Sequence, residues 1–291
     1  MSSDAVVLMA YGSPERLADV PAYYADIRGG RPVAPEHLED LVERYRRLGI
    51  EDSSPLNAIT EQTRAALEQE LELPVFTGMK HWTPRIAEAA ASALASGAVT
   101  VAGLVLAPHY SELSIKGYRD QLERALDGRA ELRFVDSWHD EPGFVELLAG
   151  KIRGTDAHVV FTAHSLPARI LEDGDPYQDQ LLETSRLVAD AAGISEWSFS
   201  FQSESPTGEP WLGPDILDHL RALDAKRVLL CPVGFVSDHL EIRWDLDVEA
   251  AELAGELGIE LARIEMPNDD PVFVRTLAGI VRRALAVPSP A

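Results

Sequence analysis

Short apolar, β-branched runs alternate along the chain with amphipathic stretches of helical period, the pattern of a mostly parallel sheet covered by helices. Eight such runs predict strands near residues 5–10, 73–78, 99–107, 131–137, 157–163, 197–202, 226–233 and 259–264. The stretches between them predict helices near 36–48, 57–72, 85–96, 112–127, 142–153, 177–192, 214–222, 238–257 and 270–286. Pro55 and Pro84 stand where helices can begin, because a first-turn amide needs no partner, and Gly97 supplies a stop. Residues 12–35, which include IRGGRP, lack clear periodicity and read as a functional loop. Four strands fall on each side of about residue 140. The expected class is α/β: two Rossmann-like halves, 1–140 and 141–291, with mostly parallel sheets enclosing a central cleft and a terminal helix free to pack across.

The start of each half repeats. VVLMAYGSP, residues 6–14, aligns without a gap on VVFTAHSLP, residues 159–167, and sets Tyr11 opposite His164. LAPHYS at 106–111 is loosely echoed by LCPVGFVS at 230–237. Ligands of open α/β sheets bind beyond the carboxyl ends of the strands. Two related strands that each run out into a turn carrying a ring therefore suggest two similar half-sheets facing one cleft.

Composition narrows the partners. The 291 residues are 46% hydrophobic and 25% charged, enough for two globular cores. A net charge of −22, from 48 acidic against 26 basic residues, argues against nucleic acid or an anionic membrane as the main partner. Cys231 is the only cysteine, so one chain supplies no disulfide framework, structural zinc cluster or cysteine-bound iron–sulfur centre. The longest apolar runs, such as 99–108 and 228–236, are too short for a bilayer span. No basic segment precedes the apolar run in MSSDAVVLMAYG, so a signal peptide is not expected, and a cytoplasmic protein without membrane insertion is.

Polar or aromatic residues stand where several strands end: Tyr11, Lys80 with His81, His109 with Tyr110, His164, Gln202 with Ser203, and residues 237–241. His37, His139, His158 and His219 read as structural. On the predicted helix 238–257, Glu241, Asp245 and Glu249 share one face at i, i+4, i+8. That stripe is either a solvated face, with Asp238 as N-cap and Glu241 its partner, or a relay of hard oxygen ligands for a divalent cation. His164 with Glu241 makes an imidazole and carboxylate pair suited to ferrous iron and to proton exchange near neutral pH. Arg28, Arg31, Arg44, Arg46 and Arg47 lie within twenty residues of an otherwise acidic chain and suit a polycarboxylate. Tyr45, Ser54 and the helix amides after Ser54 can add hydrogen bonds. Arg46 and Arg47 could instead balance neighbouring acids.

Seven motifs in order, MAYGSP, RYRRLG with SSPLNAIT, GMKHWTP, LAPHYS, FTAHSLP, FQSESPTGEPWLGPDI and PVGFVSDHLE, together resemble the ferrochelatases over nearly the whole chain. The resemblance implies a lyase of haem biosynthesis that inserts ferrous iron into a porphyrin held between two Rossmann-like domains. It implies that His164 and Glu241 are the catalytic, iron-side pair, with Asp245 and Glu249 as an outer relay. The chain is most similar to the bacterial branch that uses coproporphyrin III. There the tyrosine of the AYG motif, here Tyr11, ligates product iron from the opposite side of the ring. Arg28, Arg44, Tyr45, Ser54 and Tyr118 match porphyrin contacts. The polar stretch 32–43, PVAPEHLEDLVE, lacks the apolar lip of membrane-associated relatives. Departures fall at Gly29, where relatives often carry arginine, and at Glu51, Asp52 and Ser53, where they are glycine-rich. The partners implied are a tetrapyrrole and ferrous iron, with no resident cofactor, and the protein is expected to be a monomer that makes transient contacts with neighbouring haem-pathway enzymes. Alternative readings are a protoporphyrin IX ferrochelatase, another tetrapyrrole metal chelatase, and a non-catalytic haem or porphyrin carrier.

Overall fold

All eight predicted strands form. In the computed structural model, which describes residues 4–31, 34–49, 54–205 and 207–286, they make two four-stranded parallel sheets. Pro32, Val33 and the Glu51, Asp52, Ser53 stretch lie outside the described residues. In the first sheet β1 (Asp4–Ala10) lies between β2 (Val75–Met79) and β3 (Thr100–Val105), with β4 (Glu131–Phe134) beyond β3. In the second, β5 (His158–His164) lies between β6 (Trp197–Gln202) and β7 (Arg227–Cys231), with β8 (Glu260–Arg263) outermost. The repeated segments at 6–14 and 159–167 thus hold equivalent positions: each is the first strand of its sheet and sits where the strand order reverses. Ala5 to Met9 and Val159 to Phe161 are fully buried, which is why these strands read as unbroken apolar runs rather than alternating ones.

The helices are α1 (Val20–Ile27), α2 (Pro35–Arg47), α3 (Pro55–Leu71), α4 (Ile86–Ala95), α5 (Ile115–Leu126), α6 (Pro142–Ile152), α7 (Tyr177–Ala192), α8 (Ile216–Ala222), α9 (Ala251–Leu257) and α10 (Pro271–Ala286). α10 buries Phe273, Val274, Leu277, Ala278 and Val281, a stripe of helical period. It lays that stripe on α3, α6, β3 and β4, so the last helix of the chain covers the first sheet. Val6 and Leu8 of β1 therefore share one apolar cluster with Phe144, Phe161 and Phe273. Trp138 sits within it, 5.1 Å from Phe144 and 6.0 Å from Phe273 between ring centroids.

The structure corrects the sequence reading in two places. The stretch 12–35 is not all loop, since α1 forms within it behind a proline in its first turn, burying only Val20 and Tyr23. The helix expected over 238–257 is π-helical across Ile242–Ala250 and becomes α-helical only at α9. Wider turns of this kind recur at functional sites.

Two glycines set the approach of loops to the strand tips. Gly12 follows Tyr11 at φ +85°, and a Cβ there would lie 2.7 Å from the Cβ of Trp82. Gly234 follows the end of β7, which stops at Cys231 because Pro232 has no amide to give the ladder. Its amide donates to the Thr162 carbonyl at 3.2 Å. A Cβ at 234 would fall 2.5 Å from that of Ala163, so the loop carrying residues 237–241 reaches β5 only because residue 234 lacks one.

Gly234→Ala should therefore destabilise the protein by about 1–3 kcal/mol in urea unfolding, the range for overpacking a tight contact. Gly150→Ala on α6, where a Cβ meets nothing within 4 Å, should instead stabilise by about 0.5–1 kcal/mol.

Candidate active site

Tyr11 follows the last residue of β1, and His164 ends β5. The loop after β7 brings Glu241 to His164, with His164 Nε2 3.6 Å from Glu241 Oε1. His239 Nε2 lies 3.4 Å from the other oxygen, Oε2. The Nδ1 of each ring faces a main-chain carbonyl, Ser165 for His164 and Ser237 for His239. A carbonyl only accepts, so each Nδ1 carries a proton and each Nε2 is turned to the carboxylate. Burial lowers the His164 pKa, but the Glu241 charge and contact, the Ser165 carbonyl and Asp245 outweigh it and push it up to about 9. Burial raises the Glu241 pKa, and His164 and His239 reverse this, holding the carboxyl well below the usual range. At neutral pH the ligand-free site holds an imidazolium and a carboxylate.

The side chains of His164 and Glu241 are 30% and 37% exposed. Burial is nevertheless the first influence on the pKa of each, and likewise for Tyr11, which is 40% exposed. A separate hollow of about 500 Å³ at the end of α5, formed by Asp120, Glu123, Arg124, Asp127 and Gly128, contains none of them.

The acidic stripe runs inward from Glu241. Asp245 is 6% exposed and bonded to the Ser203 hydroxyl. Burial is the main cause that pushes its pKa up to about 7, with the Glu241 and Glu249 charges adding to it. Arg44 Nη1 stands 3.8 Å from Asp245 while its Nε bonds Asp40 at 2.9 Å. Arg44 and Arg47 both lie over the Trp244 ring, 5.4 and 4.8 Å from its centroid. Glu249 is half-buried and has no ion-pair partner among the described residues. The capping alternative does not hold: Asp238 bonds Asn268 and Arg263, and Glu241 faces the two histidines. Arg46 pairs with Glu43 and Arg47 with Glu252, which fits the charge-balancing reading for those two.

Tyr11 anchors the opposite group. Its ring lies 4.6 Å from that of His81, whose Nδ1 bonds Asp26 at 2.9 Å, and Arg85 holds the same carboxylate at 2.9 and 3.1 Å. Burial and then the Glu241 charge push the Tyr11 pKa up, which places the phenol in reach of the carboxylate's field. Tyr45 meets the Ser13 hydroxyl at 3.1 Å, and Asn57 on α3 grips the Ser13 backbone at both its amide and its carbonyl. Tyr118 is buried beneath the Lys80 ammonium, 4.7 Å from its centroid, and the Tyr11 charge helps raise its pKa after burial. Ser54 caps the start of α3 with its hydroxyl buried and without a partner among the described residues. Arg28 ends α1 half-buried, and among the described residues no ion pair engages it.

Tyr11, Tyr45, Tyr118, His164, Glu241, Asp245 and Arg44 are thus brought together from both halves, each tied to another by a contact or by its electrostatic influence. Ser54 and Arg28 stand at the start of α3 and the end of α1, and among the described residues no contact ties either to that group. The sequence marks His239 only within the strand-end run 237–241, with no role of its own, and gives no place to Tyr177. The first had a signal in the DHLE motif itself; the second, whose hydroxyl bonds the His164 carbonyl at 2.9 Å, had none. His109 and His139 bond Thr184 and Glu183 on α7, while His158 and His219 share Ser198. Among the described residues, no three His, Cys, Asp or Glu side chains form a closed metal cage.

Among known proteins, the family model described as Ferrochelatase matches residues 3–285. The ferrochelatase of Herpetosiphon aurantiacus is 44% identical over 95% of this chain and 97% of its own. The coproporphyrin III ferrochelatase of Halalkalibacterium halodurans is 40% identical over 97% of each chain, and that of Bacillus subtilis is 38% identical over 96% and 97%. Of solved structures, the sirohydrochlorin chelatase SirB of Bacillus subtilis subspecies spizizenii, in complex with cobalt, is similar with a TM-score of 0.59 at 11% identity. That match covers 97% of this chain and 94% of the other and is a likeness of fold alone.

NMR titration of His164 in the ligand-free protein should give a midpoint near 9, and Glu241→Gln should bring it below 6.5 by leaving burial as the main influence. A folded pKa above the unfolded value means that His164 stabilises fully below about pH 6.5 and loses that contribution as pH rises through about 9.

Proposed function

The chain belongs to the ferrochelatase family, whose enzymes insert iron into a porphyrin, and we propose that its substrate is coproporphyrin III, metallated by ferrous iron from the His164 and Glu241 side. The observation that carries this reading is the pairing of two strand tips. A desolvated imidazole and carboxylate stand at one, and a phenol that can serve as an iron ligand stands at the other.

Four propionates need more cationic and hydrogen-bonding partners than two. Arg28 and Arg44, both half-buried, are the cations this reading assigns to them, with Tyr45, Ser54 and Tyr118, buried in the ligand-free protein, as further contacts, and α2 carries the polar sequence PEHLEDLVERYRR. Relatives named as coproporphyrin III ferrochelatases support the same choice. Among the described residues no helix is long and apolar enough to cross a membrane. The reading requires no resident cofactor, and Cys231 is buried on β7.

In this mechanism Asp245 and Glu249 attract the dication and Glu241 receives it. A dication beside Glu241 lowers the pKa of His164, which sheds its resting proton and becomes able to accept another. The two pyrrole N–H protons then leave one at a time to His164 and on to solvent while iron takes their place, so that one Fe²⁺ enters and two H⁺ depart. Iron settles toward Tyr11, whose phenol is held against His81 and Asp26.

His164→Ala should lower ferrous insertion at least about 100-fold, the scale of a lost general base, and leave porphyrin binding by fluorescence quenching within twofold. Retained turnover would remove His164 from the chemistry. Anaerobic assays on coproporphyrin III, protoporphyrin IX and sirohydrochlorin should show the highest kcat/KM for the first. A preference for either of the others contradicts the substrate assignment, and tight binding with no insertion of any kind identifies a carrier.

A further inference from the structure

Gln202, the last residue of β6, is fully buried, and both ends of its amide are engaged. Its Oε1 accepts from the Thr162 hydroxyl at 3.0 Å, two residues before His164 on β5. Its Nε2 donates to the Glu241 carbonyl at 3.3 Å. Its own main-chain carbonyl accepts from the Ser165 amide at 2.7 Å, one residue after His164. One residue therefore brackets His164 from both sides along the chain and reaches the backbone that carries the facing carboxylate.

An apolar side chain would fill a buried strand end at lower cost, because a buried amide must have its donors and acceptor met. Here the partners that meet them are the two segments whose separation sets the 3.6 Å contact between His164 and Glu241. The next residue extends the arrangement. Ser203 adopts φ +65°, a left-handed conformation unfavourable for serine, and from that turn its hydroxyl reaches Asp245. The end of β6 thus holds two successive acids of the stripe, Glu241 by its backbone and Asp245 by its side chain.

We propose that Gln202 is a positioning residue for metal insertion: it fixes the spacing of the His164 imidazole and the Glu241 carboxylate through their main chains without touching either substrate. The inference rests on the reading that this pair handles the iron. A misplacement of about 1 Å between reacting groups can cost on the order of 100-fold in rate, so a clamp on that distance acts on kcat rather than on porphyrin affinity.

The test replaces the amide by a side chain of similar length, Gln202→Met, in the full chain. A second variant, Thr162→Val with Gln202→Met, also removes the hydroxyl that the first would orphan, so that loss of folding does not stand in for loss of positioning. In whichever variant keeps its Tm within about 5 °C of the parent, which for a chain of this size corresponds to a loss of no more than ~2 kcal/mol, we expect kcat for ferrous insertion to fall at least tenfold. The KM for the metal should rise, and porphyrin affinity by fluorescence quenching should stay within twofold. A folded variant with the parent kcat, or one that loses porphyrin affinity in step with kcat, overturns the proposal. His164→Ala and Glu241→Gln run alongside: if those two retain turnover, the iron-side reading fails, whereas if they are inactive and Gln202→Met is not, only the clamp does.

Discussion

A parallel sheet whose first strand lies between its second and third has one tip that no crossover helix covers, at the point where the strand order reverses. This constraint operates twice in the chain, on β1 and on β5, and it decides where chemistry can be placed. Tyr11 and His164 occupy those two tips. The C-terminal helix, by covering the first sheet, joins the two halves through a common apolar cluster, so the tips are held relative to each other by packing rather than by a tether. The loops that complete the site are fitted to the tips by glycine at the positions where a Cβ would strike a neighbour.

Electrostatics then divides the site. On the β5 side, the mutual contacts of His164, His239 and Glu241 outweigh burial and leave an imidazolium beside an ionised carboxylate, while burial pushes a further acid, Asp245, up to about 7. Such a group is a poor permanent metal site and a good transient one. The incoming dication competes with protons already present, and its charge can be exchanged for theirs. On the β1 side the phenol is strongly disfavoured as a free anion, so the anionic ligand proposed at Tyr11 would need a cation close enough to compensate. In the proposed reaction this asymmetry gives a direction, from the imidazolium and acids beside β5 toward the neutral phenol beside β1.

Much of the fold was legible in the sequence because fully buried parallel strands leave continuous apolar runs, and the repeat of VVLMAYGSP in VVFTAHSLP marked the equivalent strands. The helix α1 was not, because two buried residues, Val20 and Tyr23, make too short a stripe to show a period. The π-helical turn was hidden for a different reason: acids four residues apart share a face in either kind of helix, so Glu241, Asp245 and Glu249 gave the stripe but not the winding. At the site, residues with charge or a ring at a strand end could be found. Gln202 was marked as a polar strand end, but it and Tyr177 act through main-chain carbonyls, which any residue type presents, and only the folded geometry shows which carbonyl each one holds.

In the proposed reaction the two strand tips address opposite sides of one porphyrin. The most direct measurement is the resonance Raman spectrum of the iron product bound to the protein and oxidised to the ferric state, compared in the parent, Tyr11→Phe and His164→Ala chains. A tyrosinate-to-iron charge-transfer signature is expected in the parent and in His164→Ala, and its loss in Tyr11→Phe. A signature that survives Tyr11→Phe and disappears in His164→Ala would contradict it.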